Sequence, residues 1–158
     1  MSFYELTNIV EIKIVNNEVI TDNDIPQYQT DGSVGLDLLA AIETPEVIKP
    51  HSRVLIPTGI AININDNNVG AFIFARSGLA SKSGIALSNG VGVIDSDYQG
   101  ELKVSITNND PEKIFLLRPK DRIAQLVFLP VKKIKFNLVK KFSTKTSRSE
   151  NGFGSTGI

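Results

Sequence analysis

Short alternations of apolar and polar residues recur along almost the whole chain, separated by turn-forming residues at spacings of about 8–12, and a helical period is hard to find. This pattern constrains the fold more than any other feature, because period-two alternation suits a strand with one face buried and cannot cover one side of a helix. In Ile9–Val15, Val10, Ile12 and Ile14 fall on one face and Glu11 and Lys13 on the other. Arg53–Ile56 and Ile60–Ile64 flank a Pro57-Thr58-Gly59 turn, and Gly70–Ala75 follows the Asn-rich turn Asn65–Asn68. Glu101–Thr107, Lys113–Leu117, Arg122–Leu129 and Lys133–Val139 are further predicted strands. All seven prolines are expected between or at the edges of these runs, where no ladder N–H is needed. The one predicted helix is short, Ser77–Lys82, with Ser77 as N-cap and Gly84 as its stop. The expected architecture is all-β, a sandwich or barrel.

Composition narrows the chemistry. The chain has 158 residues, the length of one domain, with 17 Lys+Arg balancing 17 Asp+Glu. Zero net charge supplies no overall field for nucleic acid or an anionic membrane. Without cysteine there are no disulfides, thiolate metal sites or cysteine nucleophile, and the single histidine, His51, rules out a multi-imidazole metal site. No apolar run approaches the roughly 20 residues of a membrane span, and Met1–Thr7 lacks the pattern of a secretory signal, so a cytoplasmic protein is expected. Val131–Arg148 holds seven basic and no acidic residues; a solvated strand face explains this run more simply than a nucleic-acid contact.

Five segments carry groups suited to a phosphorylated ligand. In Asp31–Ala40, Asp37 lies between leucines, where a carboxylate is costly unless paired or near a metal. Ala75–Ala80 places Arg76, Ser77 and Gly78 where a strand gives way to a helix: a guanidinium fork, a hydroxyl and an approachable backbone, or simply a cap with a surface Arg. Asn89–Gly100 reads as a hairpin turning at Ser96-Asp97. Asp95 and Asp97, two apart, would share a side of an extended chain and could serve as a general base or hold a hard cation, or only shape the turn. The apolar Val93-Ile94 step favours partial desolvation of Asp95. Gln125 is an amide inside an apolar strand and needs partners, whether structural or ligand. Arg148 and Gly152–Gly157 join a cation, two hydroxyls, glycine-rich backbone and the ring of Phe153, without the Gly-Lys-Ser/Thr of a Walker loop.

Taken in order, these five segments resemble the five motifs of the trimeric dUTP diphosphatases (dUTPases), above all the bacterial and phage members, and they span residues 31–157. Gly-Val-Ile-Asp-Ser-Asp-Tyr-Gln-Gly and Gly-Phe-Gly-Ser-Thr-Gly are the most specific matches. The resemblance implies a jelly-roll-like domain over residues 1–147 and a flexible lid over 148–158. It also implies a homotrimer with sites at subunit interfaces, and Mg2+-dependent conversion of dUTP to dUMP and diphosphate. That reaction limits uracil incorporation into DNA and supplies dUMP for dTMP synthesis. Asp95 would be the base that activates water for attack at the α-phosphorus. Tyr98 would exclude a 2′-hydroxyl, and Asn89, Val93, Ile94 and Lys103 would read uracil. Arg76, Ser77, Gly78 and Gln125 would hold phosphates, and Asp37 would fix Mg2+ through water. Arg148, Phe153, Gly154, Ser155 and Thr156 would close over the nucleotide.

The chain departs from the family pattern at Asp31, at Gly90, at Lys120 where glycine is common, and at Ser149 and Asn151. None of these changes removes a predicted catalytic group. The related dCTP deaminases need a catalytic Glu within the strand after the third motif; Glu101 stands too near the turn. A nucleotide-responsive regulatory protein on the same scaffold remains the alternative from another class.

Overall fold

The computed structural model describes residues 9–146, 149 and 150. Ten strands form two four-stranded sheets and a two-stranded ribbon, all antiparallel. The first sheet has the order β1 (Glu11–Ile14), β4 (Arg53–Asn63), β8 (Glu101–Asn108), β6 (Ile85–Leu87). The second runs β2 (Leu36–Leu39), β10 (Arg122–Pro130), β5 (Val69–Ala75), β7 (Gly92–Ile94). The ribbon pairs β3 (Glu46–Ile48) with β9 (Phe115–Leu117), and the one α-helix among the described residues, α1, spans Ser77–Ser83. The sheets face one another, β2 packing on β4, β10 on β8 and β5 on β6, and neither closes on itself. The result is an open all-β sandwich. No helix among the described residues is long and apolar enough to cross a membrane.

Alternation dictates which side chains meet between the sheets. Along β8, Leu102, Val104, Ile106 and Asn108 point inward while Lys103 is exposed. They pack with Ile56 of β4, Leu38 of β2, Ile73 of β5 and Leu126 of β10 in one continuous core. Each large aliphatic side chain buried this way contributes about 1.5–3 kcal/mol. Asn108 is the fully buried polar exception, and it is satisfied. Its amide donates to the carbonyls of Ile48 and Lys113 at 3.0 and 2.8 Å, and its oxygen accepts the Asp110 N–H at 3.0 Å. Asn108 thereby fastens the β3–β9 ribbon to β8.

Several local expectations change. Arg53–Ile56 and Ile60–Ile64 are one strand, because Pro57-Thr58-Gly59 forms a bulge within it rather than a turn. Three contacts accommodate this bulge. Thr58 donates through its hydroxyl to the Leu102 carbonyl (2.7 Å), the Gly59 N–H reaches Glu101 Oε1 (3.0 Å), and the Val15 N–H reaches the Gly59 carbonyl (2.8 Å). Pro57 therefore sits inside a strand, at the one kind of interior position that tolerates it. The predicted hairpin over Asn89–Gly100 is not self-paired: β7 pairs with β5 in one sheet and β8 with β4 and β6 in the other. The segment crosses between sheets, although its turn does fall at Ser96-Asp97. Lys133–Val139 forms no strand, having no pairing partner among the described residues, and Phe136 and Leu138 are 93% and 99% exposed.

Candidate functional site

Where β5 ends, Arg76 keeps an extended conformation (φ −84°, ψ 123°) and acts as N-cap without a side-chain bond, so that Ser77 is the first helical residue and not the cap. Gly84 stops the helix as expected. Its φ of +66° is left-handed, and its N–H reaches the Ala80 carbonyl at 3.0 Å. Beside this corner, β10 runs between β5 and β2, bringing Gln125 opposite Phe74 on one side and Asp37 on the other. Three sequence-distant segments thus meet around one polar cavity of about 460 Å3, walled by Asp37, Arg76, Ser77, Gly78, Leu79, Lys82, Ser83 and Gln125.

The cost of placing Asp37 between leucines is offset by two guanidinium groups. Arg76 Nε donates to Oδ1 at 2.8 Å, and Arg122 NH1 stands 3.4 Å from Oδ2. This pairing orients the Arg76 fork along the cavity wall. Gln125 donates from Nε2 to the Ala75 carbonyl at 3.0 Å, which settles one half of its amide as a structural bridge. Gly35 is required beside it, since a Cβ there would come within 3.2 Å of both Gln125 Cβ and Cδ. Gly78 is different: a Cβ there would meet nothing within 4 Å, so the space over its backbone is open to a ligand.

The groups of the third motif lie apart from this cavity. Asp95 follows β7 and is exposed, not partly desolvated, and the turn at Ser96-Asp97 removes the extended chain on which a shared side with Asp97 depended. Asn89 and Val93 are exposed and Ile94 is half-buried. Tyr98 folds back so that its hydroxyl donates to the Glu101 carbonyl at 3.1 Å, a position that needs Gly100, because a Cβ there would lie 2.6 Å from the ring. Lys103 Nζ stands 3.8 Å from Glu101 Oε2. Glu101 is thus engaged by Lys103 and by the β4 bulge, in keeping with its exclusion as a deaminase base. Arg148, Phe153, Gly154, Ser155 and Thr156 lie outside the described residues, as does the proposed lid over 148–158 apart from Ser149 and Glu150.

A family model described as dUTPase matches residues 21–157. The chain belongs to the dUTPase family. It is 50% identical over 149 residues to the deoxyuridine 5′-triphosphate nucleotidohydrolase of Legionella pneumophila (strain Paris), across 94% of this chain and 97% of that one. Among solved structures, the Staphylococcus bacteriophage 80alpha dUTPase with dUpNHpp is 25% identical, with a TM-score of 0.80 over 96% of this chain and 100% of that one. A mutant dUTPase from phage phi11 of S. aureus, described for its coordination of a structural Mg(II) ion, shares the fold at 20% identity and a TM-score of 0.74, across 87% of this chain and 100% of that one.

No group of three or more His, Asp or Glu side chains among the described residues could by itself hold a metal ion. Both oxygens of Asp37 already face cations, yet Oδ2, at 3.4 Å from Arg122, retains lone pairs for a water. This suits outer-sphere contact with an ion carried by phosphates, the usual habit of Mg2+, and not direct coordination. Two site residues escaped the sequence reading. Arg122 opens β10 three residues before Gln125, but only its pairing with Asp37 reveals a role. Lys82 has a signal in its spacing, four residues after Gly78 on one face of α1.

Proposed function

We propose that this chain hydrolyses dUTP to dUMP and diphosphate, by water attack at the α-phosphorus, in sites shared between the chains of a homotrimer. The observation that carries the proposal is the cavity itself: Arg76, Ser77, Gly78 and Gln125 converge with Asp37 around an open, polar space fit for a chain of phosphates. Family membership and the named relatives supply the nucleotide.

In this reading Arg76 and the Ser77 hydroxyl bind phosphate oxygens and stabilise the charge that builds on the departing diphosphate. The open space over Gly78 lets the phosphate chain approach the backbone. Gln125 offers its remaining amide hydrogen. Asp37 would hold Mg2+ through water, and the ion would supply neutralisation of part of the triphosphate charge. Asp95 orients the attacking water and takes its proton; an ionised carboxylate only accepts hydrogen bonds, which suits it to this task. Tyr98 lies under the deoxyribose and fills the place of a 2′-hydroxyl. Asn89, with Val93, Ile94 and the Lys103 backbone, reads the uracil edge. Arg148, Phe153, Gly154, Ser155 and Thr156 close the site and exclude bulk water.

The separation of Asp95 and Tyr98 from the phosphate cavity within one chain supports a site completed by neighbouring chains. So does the apolar arm beyond Pro130, where Ile134, Phe136, Leu138 and Phe142 face solvent in the isolated subunit. Exposed apolar surface of this extent marks an interface. A cytoplasmic setting belongs to the same reading.

The test is diphosphate release from dUTP, UTP, dTTP and dCTP in the presence of Mg2+. Turnover is expected with dUTP, with the other three at least about a hundredfold slower, because a tight pocket rejects the extra hydroxyl, the methyl and the altered base edge. Equal rates on UTP and dUTP would remove the role given to Tyr98, and no turnover of dUTP would remove the proposal.

A further inference from the structure

Lys82 shares the cavity wall with Arg76, Ser77 and Gly78. It lies one turn along α1 from Gly78, on the same face, so its four-carbon stem is long enough to reach a ligand in the open space over that glycine. The charges around this space are unequal in availability. Arg76 is committed at 2.8 Å to Asp37, whose carboxylate offsets its charge, and Arg122 also spends itself on Asp37 from the neighbouring cavity. Lys82 is exposed and has neither a carboxylate within 4 Å nor a hydrogen bond among the described residues. Among the described residues, a polyanion entering the cavity therefore meets one cation, Lys82, whose charge is not already balanced.

We infer that Lys82 is a further substrate-binding residue, whose ammonium grips the part of the phosphate chain that leaves as diphosphate. The inference rests on the reading of the cavity as a phosphate site and adds to it a group that no motif assignment includes. An ammonium on a flexible stem suits this end of the chain, since it acts as a mobile point charge that can follow the diphosphate as it departs, where the fixed fork of Arg76 cannot. The competing explanation is that Lys82 only complements the C-terminal end of the α1 dipole, being the basic residue of its last turn.

Lys82→Gln and Lys82→Arg in the full chain separate the two, with inorganic diphosphate as the calorimetric probe alongside dUTP turnover. Lys82→Gln is expected to weaken diphosphate binding about fivefold, the range of a solvent-accessible ion pair, and to lower kcat/KM for dUTP comparably while leaving dUMP inhibition unchanged. Lys82→Arg should recover most of both. Thermal unfolding of each variant verifies that the fold persists. Diphosphate binding equal to wild type in Lys82→Gln, or undetectable in wild type, would overturn the inference while leaving dUTP hydrolysis standing. Diphosphate binding that needs Lys82 in a protein that does not turn over dUTP would instead uphold the anion contact and sink the activity.

Discussion

Lys120 adopts φ of +64°, left-handed backbone that glycine takes up without steric cost. A side chain in that conformation costs roughly 1–2 kcal/mol. Its Nζ lies 2.7 Å from Asp24 Oδ2, tying the 3-10 turn at Asp22–Asp24 to the corner that leads into β10. That hydrogen bond is the main reason the Asp24 carboxyl is held below its usual value of 3.8; burial opposes it, and the Thr21 hydroxyl and N–H add to the lowering. Because the folded value is depressed, the contribution to stability is complete above the unfolded value of about 3.8 and fades as pH falls through the folded one. Lys120→Gly removes strain and ion pair together and is expected to match wild type within about 0.5 kcal/mol at pH 7. Lys120→Ala keeps the strain and should lose about 1 kcal/mol. Both should flatten the acid limb of a stability–pH curve measured by urea unfolding. An unchanged acid limb in either variant would show that the pair does not couple to folding.

Among the elements, β4 is the longest strand at 11 residues; it pairs with β1 and β8 and carries the bulge between its two ladders. Gly59 at the bulge has φ of +70°, and a Cβ there would stand 2.6 Å from Ile20 Cγ1 and 2.9 Å from the Ala41 Cβ. Gly59→Ala is therefore expected to destabilise the protein by about 2–5 kcal/mol, read from chemical denaturation. The alternation in Glu101–Thr107 and Arg122–Leu129 made β8 and β10 legible, because each buries an alternating or continuous apolar face whatever its partners. The bulge was not legible. Pro57 and Gly59 are ordinary turn residues, and only the Glu101 and Leu102 contacts from another strand turn them into a mid-strand irregularity. β2, β3 and β6 were missed for a similar reason: at three or four residues each they carry too little pattern of their own and depend on β10, β9 and β8. The cavity groups were legible as types, since Asp37 and Gln125 are polar residues in apolar runs. That they pair with Arg76, Arg122 and Ala75 was not legible, because register sets those pairings and local sequence does not.

At the scale of the whole molecule, the isolated chain looks unfinished. The arm after Pro130 carries Phe136, Leu138 and Phe142 into solvent, and the predicted base and sugar groups stand away from the phosphate cavity. The proposed trimer would account for both features. Ending the chain at Val131 is expected to abolish that proposed trimer in light scattering, whereas ending it at Lys145 should preserve it and remove most turnover by deleting the proposed lid. The division of the site between chains is tested most directly by complementation. Arg76→Ala and Asp95→Asn subunits carrying different tags are co-expressed, and the mixed assemblies are isolated through both tags. Each homotrimer alone should be nearly inactive. The doubly tagged trimers should show about a third of wild-type activity per site, because in either mixed composition one of the three junctions joins an intact Arg76 chain to an intact Asp95 chain. Mixed trimers as inactive as their parents would contradict a site built from more than one chain.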